Sequence, residues 1–412
     1  MTLSSFAPNA PAQAVPRPAG GPIRITAITA RVCNADMRNW IFVRVETDQD
    51  GLIGWGEATL EFKTRAVIGA IADIEPMLVG LDPRDIEQCY QVMTRHGFWR
   101  MGVIGMTAIS GIEMALWDIL GKDLGVPVWR LLGGQVRSHL RTYTHLGLGD
   151  MRAVYESETS ASVVEKARAV IEMGYDAVKI VCVPYTHYLA PNKDVDRVGR
   201  LLGDLRSAVG EDVDIMVDFH GRPASIVAAM AYIDAMAPAR PMFIEEPVPP
   251  EDFEGLVEVT RRSSVPIASG ERLVGRREFE PALRQHAFHI AQPDICHTGG
   301  LSETKKIAAM AENAGVGLAP HNPLGPIAGV AALHFGISTP NFIIQEEMSG
   351  AVPWYGDVVH WPIERQAGRW DLPTAPGLGV EVDEKVIEAH PYKPDILHPR
   401  HAILEDGTIV DW

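Results

Sequence analysis

VDIMVD (213–218), MFIE (242–245) and PIASGE (266–271) are short apolar runs that each end in an acid: Asp218, Glu245 and Glu271. Glu245 follows Asp218 by 27 residues, and Glu271 follows Glu245 by 26. One strand, one turn and one helix of a parallel α/β fold occupy a unit of about that length. In such a fold the carboxyl ends of all strands share one face, where ligands bind. The spacing therefore predicts that three mutually repelling acids converge on one site. A hard divalent cation held by oxygens, most often magnesium, is the natural compensation.

The same texture extends in both directions. Further strand-like runs fall at 177–183, 289–292, 316–320 and 342–345, and LRTYTHLG (140–147) reads as the first of the series. VVEKARAVIEMG (163–174), SIVAAMAYIDAM (225–236) and ETKKIAAMAENAG (303–315) are helical stretches between them. Eight strand-like runs with intervening helices in about 210 residues fit a TIM-type barrel. An open doubly wound sheet lacks support, because no GxGxxG follows any strand. Residues 141–364 are assigned to the barrel. Upstream, IRITAITARVC (23–33) and WIFVRVETDQDGLIGWGE (40–57) read as strands, the second with a hairpin signal at DQDG. AVIGAIADIEPML (66–78) and TAISGIEMALWDILGKDLG (107–125) carry amphipathic helical spacing, with Gly125 and Pro127 as stop signals. Residues 22–140 thus form an α+β domain, preceded by an Ala/Pro-rich arm (1–21). A tail (365–412) with strand-like pieces, GLGVEV and GTIVDW, is expected to pack back on the first domain.

Composition narrows the function. A formal charge of −16 with no basic block argues against a nucleic-acid partner. No apolar stretch is read as approaching the roughly 20 residues of a membrane span. Cys33, Cys89, Cys182 and Cys296 are far apart and form no CxxC pair, so free thiols in a reducing cytoplasm are expected. The chain is expected to be a homo-oligomer.

Other strand ends also carry chemistry. Lys179 lies within AVKIVCV (177–183), where a buried lysine is costly unless paired with an anion. His220 lies two residues after Asp218, hence on the same side of the strand. Asp294 ends HIAQPD (289–294), His321 ends VGLAPH (316–321) and Glu346 ends FIIQE (342–346). An aspartate and a histidine on adjacent strand ends can hydrogen-bond, which sets the imidazole tautomer and raises its basicity. Singly, each acid reads as a helix cap or a surface charge. Six such residues on six consecutive strand ends are not explained that way.

VKI, VDFHG, FIEEP, SGER, QPDICHTGG, LAPHNPLGP and QEE, in this order, resemble the enolase superfamily, in its mandelate racemase branch, with the closest likeness to the galactonate dehydratases. The resemblance implies an α+β capping domain over a modified (β/α)7β barrel and a Mg2+ site of Asp218, Glu245 and Glu271. It also implies an Asp294–His321 base, His220 as acid, Lys179 as a positive charge, and Glu346 as partner of the substrate carboxylate. Such a Glu346 would have to be protonated, with a raised pKa. Racemases of the branch carry K-x-K on the second barrel strand; this chain reads Lys179-Ile180-Val181, so one of two bases is missing. Galactonate dehydratases typically have asparagine at the position of Val181. The implied activity is dehydration of a sugar acid to a 2-keto-3-deoxy acid through an enolate. A hydroxy-acid epimerase or racemase, or a non-catalytic sugar-acid binding barrel, are the alternatives. Loops 33–40 and 58–65 of the first domain are expected to close over the barrel mouth and set specificity.

Overall fold

Three antiparallel strands packed on one long helix build the first domain. In the computed structural model, residues 21–147, 159–361, 365–394 and 402–411 are described, and the expected arm (1–21) lies outside them except for Gly21. Strands β1 (Ile25–Ala35), β2 (Arg38–Thr47) and β3 (Ile53–Glu57) form an antiparallel sheet. Helices α1 (Thr64–Leu78), α2 (Ile86–Arg95) and α3 (Gly102–Leu124) follow, then the short α4 (Val128–Leu131). Gly54 and Gly56 of β3 let α3 pack at backbone contact: a Cβ on Gly56 would lie 1.9 Å from the Gly111 carbonyl oxygen. Gly125 ends α3 in the left-handed conformation, φ 68°. One expectation needs correcting here. At 23 residues α3 is long and apolar enough to cross a membrane, but 72% of its most apolar window is buried inside the protein. It is a core helix, and its apolar faces meet the sheet on one side and the second domain on the other.

The second domain is the barrel. Its strands are β4 (His139–His145), β5 (Ala177–Val181), β6 (Asp214–Asp218), β7 (Phe243–Glu245), β8 (Ile267–Ser269), β9 (Ile290–Ala291), β10 (Gly317–Leu318) and β11 (Gln345–Glu346). Helices α5 (Ser160–Glu172), α6 (Asn192–Val209), α7 (Ile226–Met236), α8 (Phe253–Arg262) and α9 (Arg276–Arg284) alternate with the strands. The short α10 (Ile295–Thr298) and α11 (Leu301–Asn313) precede β10, and α12 (Pro326–Ile337) precedes β11. Neighbouring strands from β4 to β10 pair in parallel, and β11 returns to pair with β4. A parallel bridge between Leu318 and Phe342, with Ile343 N donating to Leu318 O at 2.7 Å, closes the remaining seam. The ring is a (β/α)7β barrel under an α+β cap.

One side chain per strand fills the barrel interior: Tyr143, Ala177, Met216, Phe243, Ala268, Ile290, Ala319 and Ile344. Bulky and small residues share the layer, as a filled barrel core requires. The alternate positions, among them Val178, Ile180, Val217 and Ile244, face the helices. The tail touches both domains. Strand Arg369–Asp371 runs antiparallel to β4, while Asn34 N donates to His390 O at 2.8 Å.

Buried carboxylates join cap to barrel. Glu57, at the end of β3, accepts from Gly325 N (2.7 Å) and Ala328 N (2.9 Å) at the start of α12. Glu113 of α3 accepts from Leu301 N (2.8 Å) and Ser302 N (2.9 Å) at the start of α11. The first N–H groups of a helix have no partner within it, and the helix dipole favours negative charge there. Asp118 of α3 accepts from Leu378 N of the tail at 2.8 Å.

Burial raises the carboxyls of Glu57 and Glu113 from 4.5 to about 7, against the pull of these donors. Each binds its proton more tightly folded than unfolded. Its stabilising contribution is therefore complete below about pH 4.5 and is lost as pH rises through about 7. In Glu57→Gln and Glu113→Gln, the fall in unfolding free energy between pH 5 and pH 7.5 should shrink, by roughly 2–3 kcal/mol per site at most. Denaturant unfolding at the two pH values checks this; an unchanged pH slope in both variants would show that other groups titrate.

Candidate active site

The interior layer dictates where the chemistry stands. Side chains alternate along a strand, so the residue two beyond each layer member points into the barrel one level nearer the mouth. Those residues are His145, Lys179, Asp218, Glu245, Gln292, His321 and Glu346. On β8 the corresponding residue is Gly270, and Glu271 follows it in the loop. Strand pairing sets Val181 beside Asp218 and Asp218 beside Glu245.

Lys179 is 1% exposed and sits among acids: its Nζ is 2.8 Å from Glu346 Oε1, 3.0 Å from Glu245 Oε2 and 3.7 Å from Asp218 Oδ2. Desolvation works against its charge, but the carboxylates, Glu245 foremost, outweigh it and hold the ammonium well above its ordinary pKa. Glu346 departs from the sequence expectation. Its Oε1 also meets His145 Nε2 at 2.7 Å, and its Oε2 accepts from Asn322 N at 2.7 Å. Burial pushes this carboxyl up, but Lys179 and His145 pull it well below the usual range. Glu346 is thus an anion held by three donors, not the protonated acid that the like-charge argument required.

The three acids differ in what satisfies them. Asp218 Oδ1 accepts from His220 N at 3.1 Å, and Oδ2 lies 2.9 Å from His220 Nε2; His220 and Lys179 hold its pKa below the normal range. Burial raises the Glu245 carboxyl, and Asp218 raises it further; burial and Glu246 raise Glu271. Glu245 Oε1 and Glu271 Oε2 are buried without a hydrogen-bond partner. Glu246 is occupied elsewhere, by a two-pronged contact from Arg272 (Nε to Oε1, 2.8 Å). Among the described residues no group of three or more Asp, Glu, His or Cys side chains forms a ready-made metal cage. The donor set nevertheless fits a magnesium ion: hard oxygens, two of them unpartnered, on acids whose charges oppose one another. Asp218, Glu245 and Glu271 would hold it.

His321 completes the site. Its Nδ1 is 2.7 Å from Asp294 Oδ2, and its Nε2 is 3.6 Å from Glu271 Oε2. Burial opposes the imidazolium, but Glu271 and Asp294 outweigh it and raise the pKa well above the ordinary value. Asp294 is fixed in turn, since its Oδ1 accepts from Cys296 N at 2.7 Å. The cap reaches the pair as well: Thr107 Oγ1 of α3 is 3.0 Å from His297 Nδ1, and His297 Nε2 is 3.7 Å from Asp294. Cap loops 33–40 and 58–65 meet at Arg38, which binds Glu61 (2.8 Å) and the carbonyl oxygen of Pro323, two residues past His321.

Sequence reasoning missed two inward residues. His145 is 7% exposed and bonded to Glu346. Gln292 is fully buried, with neither polar side-chain atom bonded. Both stand where the two-residue alternation of their strands points inward, a signal that can be used only once the interior layer is known.

Residues 14–133 match the mandelate racemase / muconate lactonizing enzyme N-terminal domain, and residues 162–386 match the enolase C-terminal domain-like family. The chain is 40% identical over 382 residues to the D-galactonate dehydratase of Verminephrobacter eiseniae (strain EF01-2), covering 90% of this chain and 96% of that one. It is 38% identical to the D-galactonate dehydratase of Klebsiella pneumoniae (strain 342), with the same coverage. A crystal structure of an enolase from Pantoea ananatis with bound d-gluconate and Mg superposes with a TM-score of 0.80 at 30% identity, over 90% of this chain and 95% of that one. The mandelate racemase/muconate lactonizing enzyme from Sulfitobacter sp. superposes with a TM-score of 0.83 at 35% identity, over 91% and 97%. The chain belongs to the mandelate racemase / muconate lactonizing enzyme family of the enolase superfamily.

Removing one acid from a self-repelling cluster has opposite effects with and without a cation. Glu271→Gln should weaken Mg2+ binding at least tenfold by calorimetry, while raising or preserving the melting temperature in chelator. Unchanged Mg2+ affinity would remove Glu271 from the ligand set.

Proposed function

We propose that this enzyme removes water from a sugar acid to give a 2-keto-3-deoxy sugar acid, with Mg2+ held by Asp218, Glu245 and Glu271. The observation that carries the reading is the contact between His321 Nδ1 and Asp294, which fixes the tautomer and leaves Nε2 directed at the acid cluster. The relatives named D-galactonate dehydratase and the gluconate-bound structure support a sugar acid as substrate.

A hydrogen next to a carboxylate is barely acidic, so its removal depends on positive charge placed where the enolate forms. When bound, Mg2+ supplies Lewis-acid stabilisation of that developing charge. Lys179, kept cationic by its acid neighbours, supplies a second positive charge from the chain itself. Glu271 is the chief group that favours the His321 imidazolium. With that carboxylate engaged by the cation, His321 would be neutral and its Nε2 free to take the proton from C2. His220 is held to Asp218 through Nε2, and its buried Nδ1 has no hydrogen-bond partner. The imidazolium of His220 delivers that Nδ1 proton to the C3 hydroxyl; the C–O bond breaks, water leaves, and the C2–C3 enol tautomerises to the ketone. Glu346, held anionic, fixes Lys179 and the Asn322 backbone around the substrate. Val181 places an apolar side chain beside Asp218, where a second base would serve epimerisation, so dehydration is favoured over that alternative. The four free cysteines suit a reducing cytoplasm.

Because Asp294 acts through His321, Asp294→Asn, His321→Asn and the double variant should lose turnover to similar extents, about 10²–10⁴-fold, without multiplying. Losses that multiply would show two independent groups. His220→Asn should stop ketoacid formation while slow exchange of the C2 hydrogen in deuterium oxide persists, and His321→Asn should abolish both. Mass spectrometry with a 2-keto-3-deoxy colour test separates these outcomes; full dehydration by His220→Asn would show that the acid is misassigned.

A further inference from the structure

α10 is a single turn that begins on Asp294 and stands between the proposed base and the cap. Asp294 Oδ1 accepts from Cys296 N at 2.7 Å, and its backbone oxygen accepts from His297 N at 3.0 Å. The turn brings the His297 ring back to the aspartate: His297 Nε2 is 3.7 Å from Asp294 Oδ2, the oxygen that meets His321 Nδ1 at 2.7 Å. On its other edge, His297 Nδ1 is 3.0 Å from Thr107 Oγ1 of α3. Thr107, His297 and Asp294 are all buried. A line of side chains, Thr107–His297–Asp294–His321, therefore runs from the cap to the proposed base. The reaction described above uses only its last two members.

Electrostatics fixes the proton on His297. A bare Nε2 would turn its lone pair toward a carboxylate oxygen, which is repulsive, so Nε2 carries the proton. In the neutral ring Nδ1 is then an acceptor, and the Thr107 hydroxyl donates to it. We propose that His297 is a positioning residue of the base, held in its tautomer by Thr107 of the cap, and that its Nε2–H keeps Asp294 Oδ2 aimed at His321. At 3.7 Å the contact is longer than a hydrogen bond and acts as a dipole on the carboxylate. Burial leaves little water to screen that dipole. The inference rests on the reading of Asp294 and His321 as the base. A neighbouring contact serves as its control. Ser110 of α3 accepts from Gly299 N at 2.9 Å, so it fastens the same seam without touching His297.

Two readouts on the full chain test this. The first needs no substrate: NMR of nitrogen-15 histidine-labelled protein should find His297 protonated on Nε2. Thr107→Val should shift the proton between His321 Nδ1 and Asp294, while Ser110→Ala should leave it in place. The second is ketoacid formation from D-gluconate and D-galactonate with Mg2+, read beside melting curves. Outer partners that orient a functional histidine are typically worth about 10–100-fold, so Thr107→Val and His297→Leu should lower kcat by that much with KM near the wild-type value. Thr107→Ser keeps the hydroxyl, and the amide nitrogen of His297→Gln replaces Nε2, so both should recover most of the loss. On an Asp294→Asn background, Thr107→Val should lower turnover no further, because it acts through that residue. A His297 bare at Nε2, or a Thr107→Val chain in which the His321 proton does not move, overturns the inference. So does a loss of kcat in Ser110→Ala equal to that in Thr107→Val, which would make the effect one of seam packing. The underlying reading fails by a different result, full turnover in Asp294→Asn.

Discussion

Glu57 occupies the place on which cap, barrel and chemistry all depend. It has no exposed surface, and its carboxylate caps the start of α12 while its backbone oxygen accepts from Cys296 Sγ at 3.3 Å. α12 follows the loop that carries His321, and Cys296 lies two residues after Asp294. One cap residue therefore locates both elements that carry the proposed base. Glu113 acts alike at α11, and α3 can seat that close only because Gly54 and Gly56 have no side chains. Burying an acid is costly, and helix-end N–H groups are among the partners that offset the cost. The cap is thus part of the site's construction: without it, α11 and α12 would begin with unpaired donors.

Above the interior layer, charges are arranged by how completely each is matched. Lys179 and Glu346 satisfy one another, and His145 and Asn322 complete the set around Glu346. Asp218 is matched by His220. Glu245 and Glu271 each keep a buried oxygen without a partner. Full matching gives rigid, ionised side chains that position others; incomplete matching leaves room for a cation. The same floor therefore supports both a fixed network and an acceptor for a metal.

Much of the site was legible before any coordinates. A parallel strand alternates its side chains and a βα unit has a nearly constant length, so acids recurring every 25 or so residues at run ends imply one face of a barrel. The structure carries Lys179, Asp218, Glu245, His321 and Glu346 on the inward positions of β5, β6, β7, β10 and β11 or just beyond them. His145 and Gln292 obey the same alternation but went unread. A histidine and a glutamine inside apolar runs carry no marker of their own until the interior layer is identified. The apolar length of α3 was under-read as well, because Glu113 and Asp118 interrupt it; both acids are satisfied within the protein.

The sequence by itself determined the order of strands, the recurrence of acids at their ends and the family, since these follow from local alternation and from motif order along the chain. The tertiary structure decided which oxygens remain free, that Glu346 is anionic, and that Glu246 turns to Arg272 while Glu245 faces inward. Those outcomes depend on groups brought together from distant parts of the chain: Lys179 meets Glu346 across 167 positions, and His145 meets it across 201. Charge state responds to distance in space and to burial, and neither can be read from neighbours along the chain.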